Sequence, residues 1–130
     1  MAPLEKRGME EKGFKHVIAA FKFSMAGMRV LFREEAARLE VVYLIVGCIG
    51  FWLVGARLDQ YAVLFGLFLF LLMVETLNTA IELIVDRESP EISDFAKHTK
   101  DLGSFAVFCG LSIFTLYLAW VIVFPLIAMI

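Results

Sequence analysis

The sequence predicts an all-α membrane protein: three transmembrane helices preceded by an N-terminal amphipathic surface helix. Three observations predict it. Of 130 residues, 61% are hydrophobic and 20% are charged, against about 45–50% and about 25% in a soluble domain. Mean hydropathy is +0.82. The charges are unevenly placed, since residues 41–56 and 103–130 carry none. The apolar residues ahead of these runs repeat with helical spacing. One small core cannot hide so much apolar surface. Thirteen Phe and a net charge of -2 are the opposite of a disordered composition. The length argues against a two-domain soluble enzyme. A pI near 5.7 does not fit a strongly basic nucleic-acid binder, so no nucleic-acid partner is expected.

The surface helix is expected at 14–33. Its apolar residues fall at 14, 17, 18, 21, 25, 28 and 32, and Lys15, Lys22 and Arg29 recur every seven residues along one edge of that face. An apolar face flanked by cations lies in the plane of a membrane surface. The alternative, a helix packing on a soluble core, has no soluble domain to pack on. The first span is expected at 40–58. Its apolar run is short and reaches spanning length if Glu40 and Arg57 snorkel from its ends. The polar break RLDQ follows. The second span is expected at 61–85, a polar cytoplasmic loop containing Pro90 at 86–101, and the third span at 102–127. Helix is the conformation in which a few isolated segments satisfy their own backbone in hydrocarbon.

Residues 1–40 hold eight of the twelve basic residues, among them Lys6, Arg7 and Lys12; the 86–101 loop holds three and the first inter-span loop one, Arg57. Basic segments stay on the cytoplasmic side. The N-terminus and the second loop are therefore expected there. No signal peptide precedes the first apolar run, so the spans are expected to remain in the mature protein. Cys48 and Cys109 lie in apolar runs without metal-ligand spacing; both are expected to be small packing residues, with no disulfide. Trp52 and Trp120 sit well inside their spans and are likewise expected to pack. His16 and His98 are isolated.

The second span holds what the other two lack. In VETLNTAIELIVDR, Glu75, Asn78, Glu82 and Asp86 fall at i, i+3, i+7 and i+11, within one narrow helical face bordered by Thr79. An ionisable group inside a span costs about 2.5–3.5 kcal/mol on insertion scales. Such a face must line a protein interior or a wet crevice. Three readings compete: a polar network between helices, an ion or proton path, and an active site. An ion path needs ionisable groups along the whole span, whereas these cluster toward the cytoplasmic end. For an active site, Glu75 and Glu82 stand about 10.5 Å apart along the axis. That is too far to share one metal. Glu82, near the surface, suits a metal that carries phosphates. Glu75, deeper, suits a base for a lipid hydroxyl. Glu34, Lys100 and Asp101 are expected at the same cytoplasmic level. Together these are the parts of a phosphoryl-transfer site: acids for Mg²⁺, a cation for phosphate and a base for the acceptor. No GxxxxGK[ST], HRD, DFG or GxGxxG motif is present, so a kinase here is of unrelated design.

The run VETLNTAIELIVDR, followed by KDLGSFAV, resembles the small integral-membrane prokaryotic diacylglycerol kinase family, and FSMAGMRVLFREEAARLE looks like that family's surface helix and entry to the first span. The resemblance covers roughly residues 14–125. It implies a homotrimer in the bacterial inner membrane that phosphorylates diacylglycerol with ATP and Mg²⁺ to give phosphatidic acid. It implies Glu75 as general base on the lipid hydroxyl, with Asn78 positioning reactants. Glu34 and Glu82 would bind the metal–nucleotide, and Glu34 rather than Glu35 aligns without a gap. Lys100 and Asp101 would contact the nucleotide, as would Glu91 and His16. Arg38, Glu40 and Ser104 would touch the lipid. His16 stands where the family carries Arg, Phe23 where it carries Tyr, and Ser93 where it carries His. The alternatives are an undecaprenol kinase, which shares the motif, and a non-enzymatic membrane assembly or ion-pathway protein.

Overall fold

In the computed structural model, residues 13–128 and 130 are described. Lys6, Arg7 and Lys12, which weigh in the orientation argument, lie outside the described residues. Four α-helices follow one another: α1 Phe14–Leu31, α2 Glu35–Leu53, α3 Leu58–Glu88 and α4 Asp94–Ile127. No strand occurs among the described residues. They divide into two compact units, α1 with the turn after it, and the α2–α4 bundle.

In the first unit α1 keeps the apolar residues of its repeat exposed, among them Phe14, Val17, Phe21 and Met28. Its end tightens through Arg33 N–H to the Val30 carbonyl and Glu34 N–H to the Leu31 carbonyl.

In the second unit α3 packs chiefly against α4, with α2 against both. All three helices are long and apolar enough to cross a membrane. The core runs along their shared seam: Phe51, Leu64, Phe68, Leu71, Phe114, Leu118 and Val121. Phe51 is fully buried and meets the rings of Tyr61 and Tyr117 edge-on, at 5.4 and 6.0 Å between centroids. In a bilayer the transfer of Phe51 from its surroundings stabilises little, because lipid is as apolar as the core. The cavity remains, so Phe51→Ala should destabilise the folded bundle by about 2 kcal/mol. A lowered unfolding midpoint in detergent titration checks this.

The polar side chains join the helices at discrete points. Tyr43 Oη lies 2.8 Å from Thr115 Oγ1, linking α2 to α4, and Tyr117 Oη donates to the Gln60 carbonyl at 2.9 Å, linking α4 to the start of α3.

Several expectations need correction. The first span does not run to residue 58. Gly55 takes a left-handed φ of 68°, and Ala56 N–H bonds the Phe51 carbonyl while Gly55 N–H bonds that of Trp52. This Schellman arrangement ends α2 at Leu53. Arg57 then belongs to α3, whose Gln60 side chain accepts its backbone N–H at 2.8 Å. Glu40 does not snorkel: it lies inside α2, 4% exposed. Nor is 86–101 a loop throughout. The connection is short, because α3 extends to Glu88 and α4 begins at Asp94. Ser93 caps α4, its hydroxyl accepting Ala96 N–H at 3.1 Å. Hydropathy marks where lipid ends, and a helix continues past that point in water. Finally, Trp52 and Trp120 are 74% and 62% exposed, so neither packs into the bundle; Trp120 instead stacks on Phe124. Cys48 touches the core, whereas Cys109 is exposed on α4.

Candidate active site

The acidic stripe of α3 turns inward. Glu75, Asn78 and Thr79 are buried, Glu82 is half-buried and Asp86 is exposed, so the face emerges step by step from the protein interior. Each step meets a different neighbour.

At the deepest level Glu75, 4% exposed, interacts electrostatically with Glu40 of α2. Neither carboxylate oxygen of Glu40 has a hydrogen-bond partner among the described residues. Glu40 also lines a groove of about 320 Å³ between α2 and α4, together with Ala36, Leu39, Tyr43, Val107 and Leu111. An apolar groove that holds one buried carboxyl group suits an amphiphile with a hydroxyl at its head.

One turn nearer the helix end, Asn78 Nδ2 donates to Glu82 Oε1 at 3.1 Å. The other end of that amide, Oδ1, faces Gly103 of α4. Asp86 forms an ion pair with Lys100, bridging α3 and α4. Beyond it a cavity of about 250 Å³ opens at the α3–α4 connection, lined by Asp86, Ser89, Glu91, Ser93, Lys97 and Lys100. Its two lysines, in the first turns of α4, are matched by two acids, Asp86 and Glu91, so phosphate groups can be held there by Lys97 and by Lys100 once it leaves Asp86.

The structure thus brings Glu75 together with Glu40, Asn78 with Glu82, and Lys100 with Glu91 at one cavity. It does not bring in all of the expected residues. Asp101 and Ser104 are exposed on α4, and neither lines that cavity or the α2–α4 groove. Arg38 is exposed near the start of α2. His16 and Glu34 are exposed in the first unit, His16 on α1 and Glu34 in the turn that follows. Among the described residues no three potential ligand side chains cluster to hold a metal ion. Mg²⁺ asks for less: one or two carboxylates, with water and substrate phosphates completing the shell. Glu82, oriented by Asn78, is chemically suited to that role.

Three placements are not legible in the sequence. Asp86 belongs to the stripe by spacing, but its pairing with Lys100 does not show there. Lys97 was counted only as a loop charge, although it lies one turn before Lys100 on α4. Glu40 was placed with the lipid but not beside Glu75.

The class of protein follows from fold and site together. This is a small polytopic membrane protein whose middle helix carries an inward-facing acid–amide–acid series ending at a cavity lined by both acids and lysines. Residues 22–124 match the family model for prokaryotic diacylglycerol kinase. A Sinorhizobium protein named diacylglycerol kinase is 43% identical over 122 residues, covering 94% of this chain and 86% of its own. Proteins of the same name from Pseudomonas aeruginosa and Escherichia coli K12 are 37% and 36% identical, over 88% and 73% of this chain and 93% and 79% of their own lengths. The chain belongs to the prokaryotic diacylglycerol kinase family and is a membrane kinase of that family.

Proposed function

We propose that the protein transfers the γ-phosphoryl group of ATP to the hydroxyl of diacylglycerol, giving phosphatidic acid and ADP. The observation that carries this reading is the inward face of α3, with Glu75 buried deepest and Glu82 half-buried toward the Asp86–Lys100 ion pair. The names of the relatives support the acceptor class.

In this mechanism the Glu75 carboxylate takes the proton of the acceptor hydroxyl as its oxygen attacks the γ-phosphorus in line. The bond from that phosphorus to the β–γ bridging oxygen breaks, and ADP leaves with the electron pair. Asn78 holds Glu82 in place. Lys100 exchanges Asp86 for phosphate oxygens, and Glu91, Asp101 and His16 contact the nucleotide. Glu82 and Glu34 would hold Mg²⁺, which would offset the charge of the triphosphate. Arg38, Glu40 and Ser104 contact the lipid. The exposed apolar residues of α1, with Lys15, Lys22 and Arg29, support a helix lying on the membrane surface. We place the N-terminus and the α3–α4 connection on the cytoplasmic side of the bacterial inner membrane, from the distribution of basic residues, and take the working unit to be a homotrimer.

The test is transfer of labelled phosphate from ATP into extracted lipid by purified protein in mixed micelles. Label is expected in phosphatidic acid when diacylglycerol is supplied. Label appearing with undecaprenol and not with diacylglycerol would reassign the acceptor; no transfer to either would remove the kinase reading of this site.

A further inference from the structure

We propose that Gly103 is a positioning residue for phosphoryl transfer: by leaving room for the Asn78 carbonyl, it fixes the Asn78 amide and, through it, the Glu82 carboxylate. The inference rests on the reading of Glu82 as a ligand of the metal–nucleotide.

A side-chain amide has one donating and one accepting end. Asn78 presents its Nδ2 to Glu82 Oε1 at 3.1 Å. Its Oδ1 must then turn the other way, toward α4. There it is buried, without a hydrogen-bond partner among the described residues, and lies against Gly103. A Cβ at position 103 would overlap Asn78 Oδ1 outright and would stand 3.2 Å from Asn78 Cγ. The side chain cannot give way by bending at a distant tip, since the whole amide is involved.

The other glycines of the bundle differ. A Cβ at Gly47, Gly50 or Gly110 would meet the methyl ends of Leu118, Ile122 or Leu71, and at Gly55 or Gly66 it would meet nothing. Leucine and isoleucine tips can rotate aside within their rotamers. Among the described glycines, Gly103 is the one set against a polar group that orients a candidate site residue. A methyl there forces the Asn78 amide to rotate, and Glu82 loses its donor. A carboxylate without that donor is free to adopt other rotamers, and its affinity for a bound cation falls.

A double-mutant cycle on the full chain in detergent micelles tests this, read by calorimetric binding of MgATP and by thermal midpoint. Gly103→Ala is expected to weaken MgATP binding roughly ten-fold, as loss of a hydrogen bond to a charged group does, while the KM for diacylglycerol stays unchanged. Asn78→Ala is expected to show the same loss, and the Asn78→Ala/Gly103→Ala double variant to bind no more weakly than Asn78→Ala alone. Gly110→Ala crowds the same pair of helices and should keep wild-type affinity. The proposal is overturned if Gly103→Ala weakens binding by the same factor in the Asn78→Ala background, or if Gly110→Ala weakens it equally. Should Gly103→Ala fail to fold, the double variant, relieved of the obstructing amide, must fold and match Asn78→Ala; its failure to fold also overturns the proposal. A wild-type protein that binds no MgATP would instead overturn the functional reading. The midpoints then still decide the Gly103 contact: the methyl should lower the midpoint of the wild type and leave that of Asn78→Ala unchanged, and equal lowering in both rejects it.

Discussion

Glu75→Gln is expected to fold, bind MgATP with wild-type affinity and lose turnover by about three orders of magnitude, within the 10²–10⁴ that a positioned general base contributes. The glutamine amide fills the same volume and remains polar, so the helix face keeps its shape. It cannot accept the hydroxyl proton. The neighbouring carboxyl of Glu40 adds a further expectation. Two acids share that buried level of the bundle, and replacing one by a neutral amide removes their mutual repulsion. The variant should therefore unfold at or above the wild-type midpoint. Single-turnover phosphate transfer, measured beside MgATP binding and a thermal scan, separates the three readouts. Retained turnover would remove Glu75 from the base role.

Glu82→Gln is expected to fail differently. Here the nucleotide should bind at least about ten-fold more weakly, the lower bound set by losses seen when only the groups supporting a metal ligand are removed. The Mg²⁺ concentration for half-maximal rate should rise, with the KM for diacylglycerol unchanged. Asn78 Nδ2, which donates to Glu82 Oε1, can still donate to the carbonyl of the glutamine, so the amide stays in place and the loss reports the missing charge. Titration of MgCl₂ at fixed ATP checks it. An unchanged Mg²⁺ dependence would contradict the assignment of Glu82.

Much of this arrangement was legible in the sequence. Two of the three apolar helices follow from uncharged runs, and α3 from an apolar stretch broken by its polar stripe, because few side chains other than apolar ones are tolerated in hydrocarbon. The inward face of α3 follows from the spacing of Glu75, Asn78, Glu82 and Asp86, because carboxylates at helical period inside an apolar stretch must face something other than lipid. What escaped depends on pairing between helices, for which one chain of letters has no period. Nothing local to Glu40 says that it meets Glu75, which lies 35 positions away by their numbers. Asp86 and Lys100 are separated by a turn whose geometry decides whether they touch. The end of α2 is hidden because hydropathy continues through Val54 and Ala56, whereas the backbone reverses at Gly55. The start of α4 was missed because its first turns are charged, although Ser93 followed by Asp94 is a readable cap.

The uninterrupted length of α3 has a consequence for the lipids around it. Its 31 residues make a rod about 46 Å long with no proline to kink it, against a hydrocarbon layer of about 30 Å. Glu75 sits a fixed distance from the Glu88 end, roughly 20 Å along the axis. An acceptor hydroxyl, by contrast, floats at a depth set by acyl-chain length. On the mechanism proposed above, bilayer thickness becomes a tuning variable for the encounter: a membrane a few ångströms thicker or thinner tilts the rod or displaces the floating alcohol against it, so saturation and chain length of the host lipids are expected to set how often the two meet.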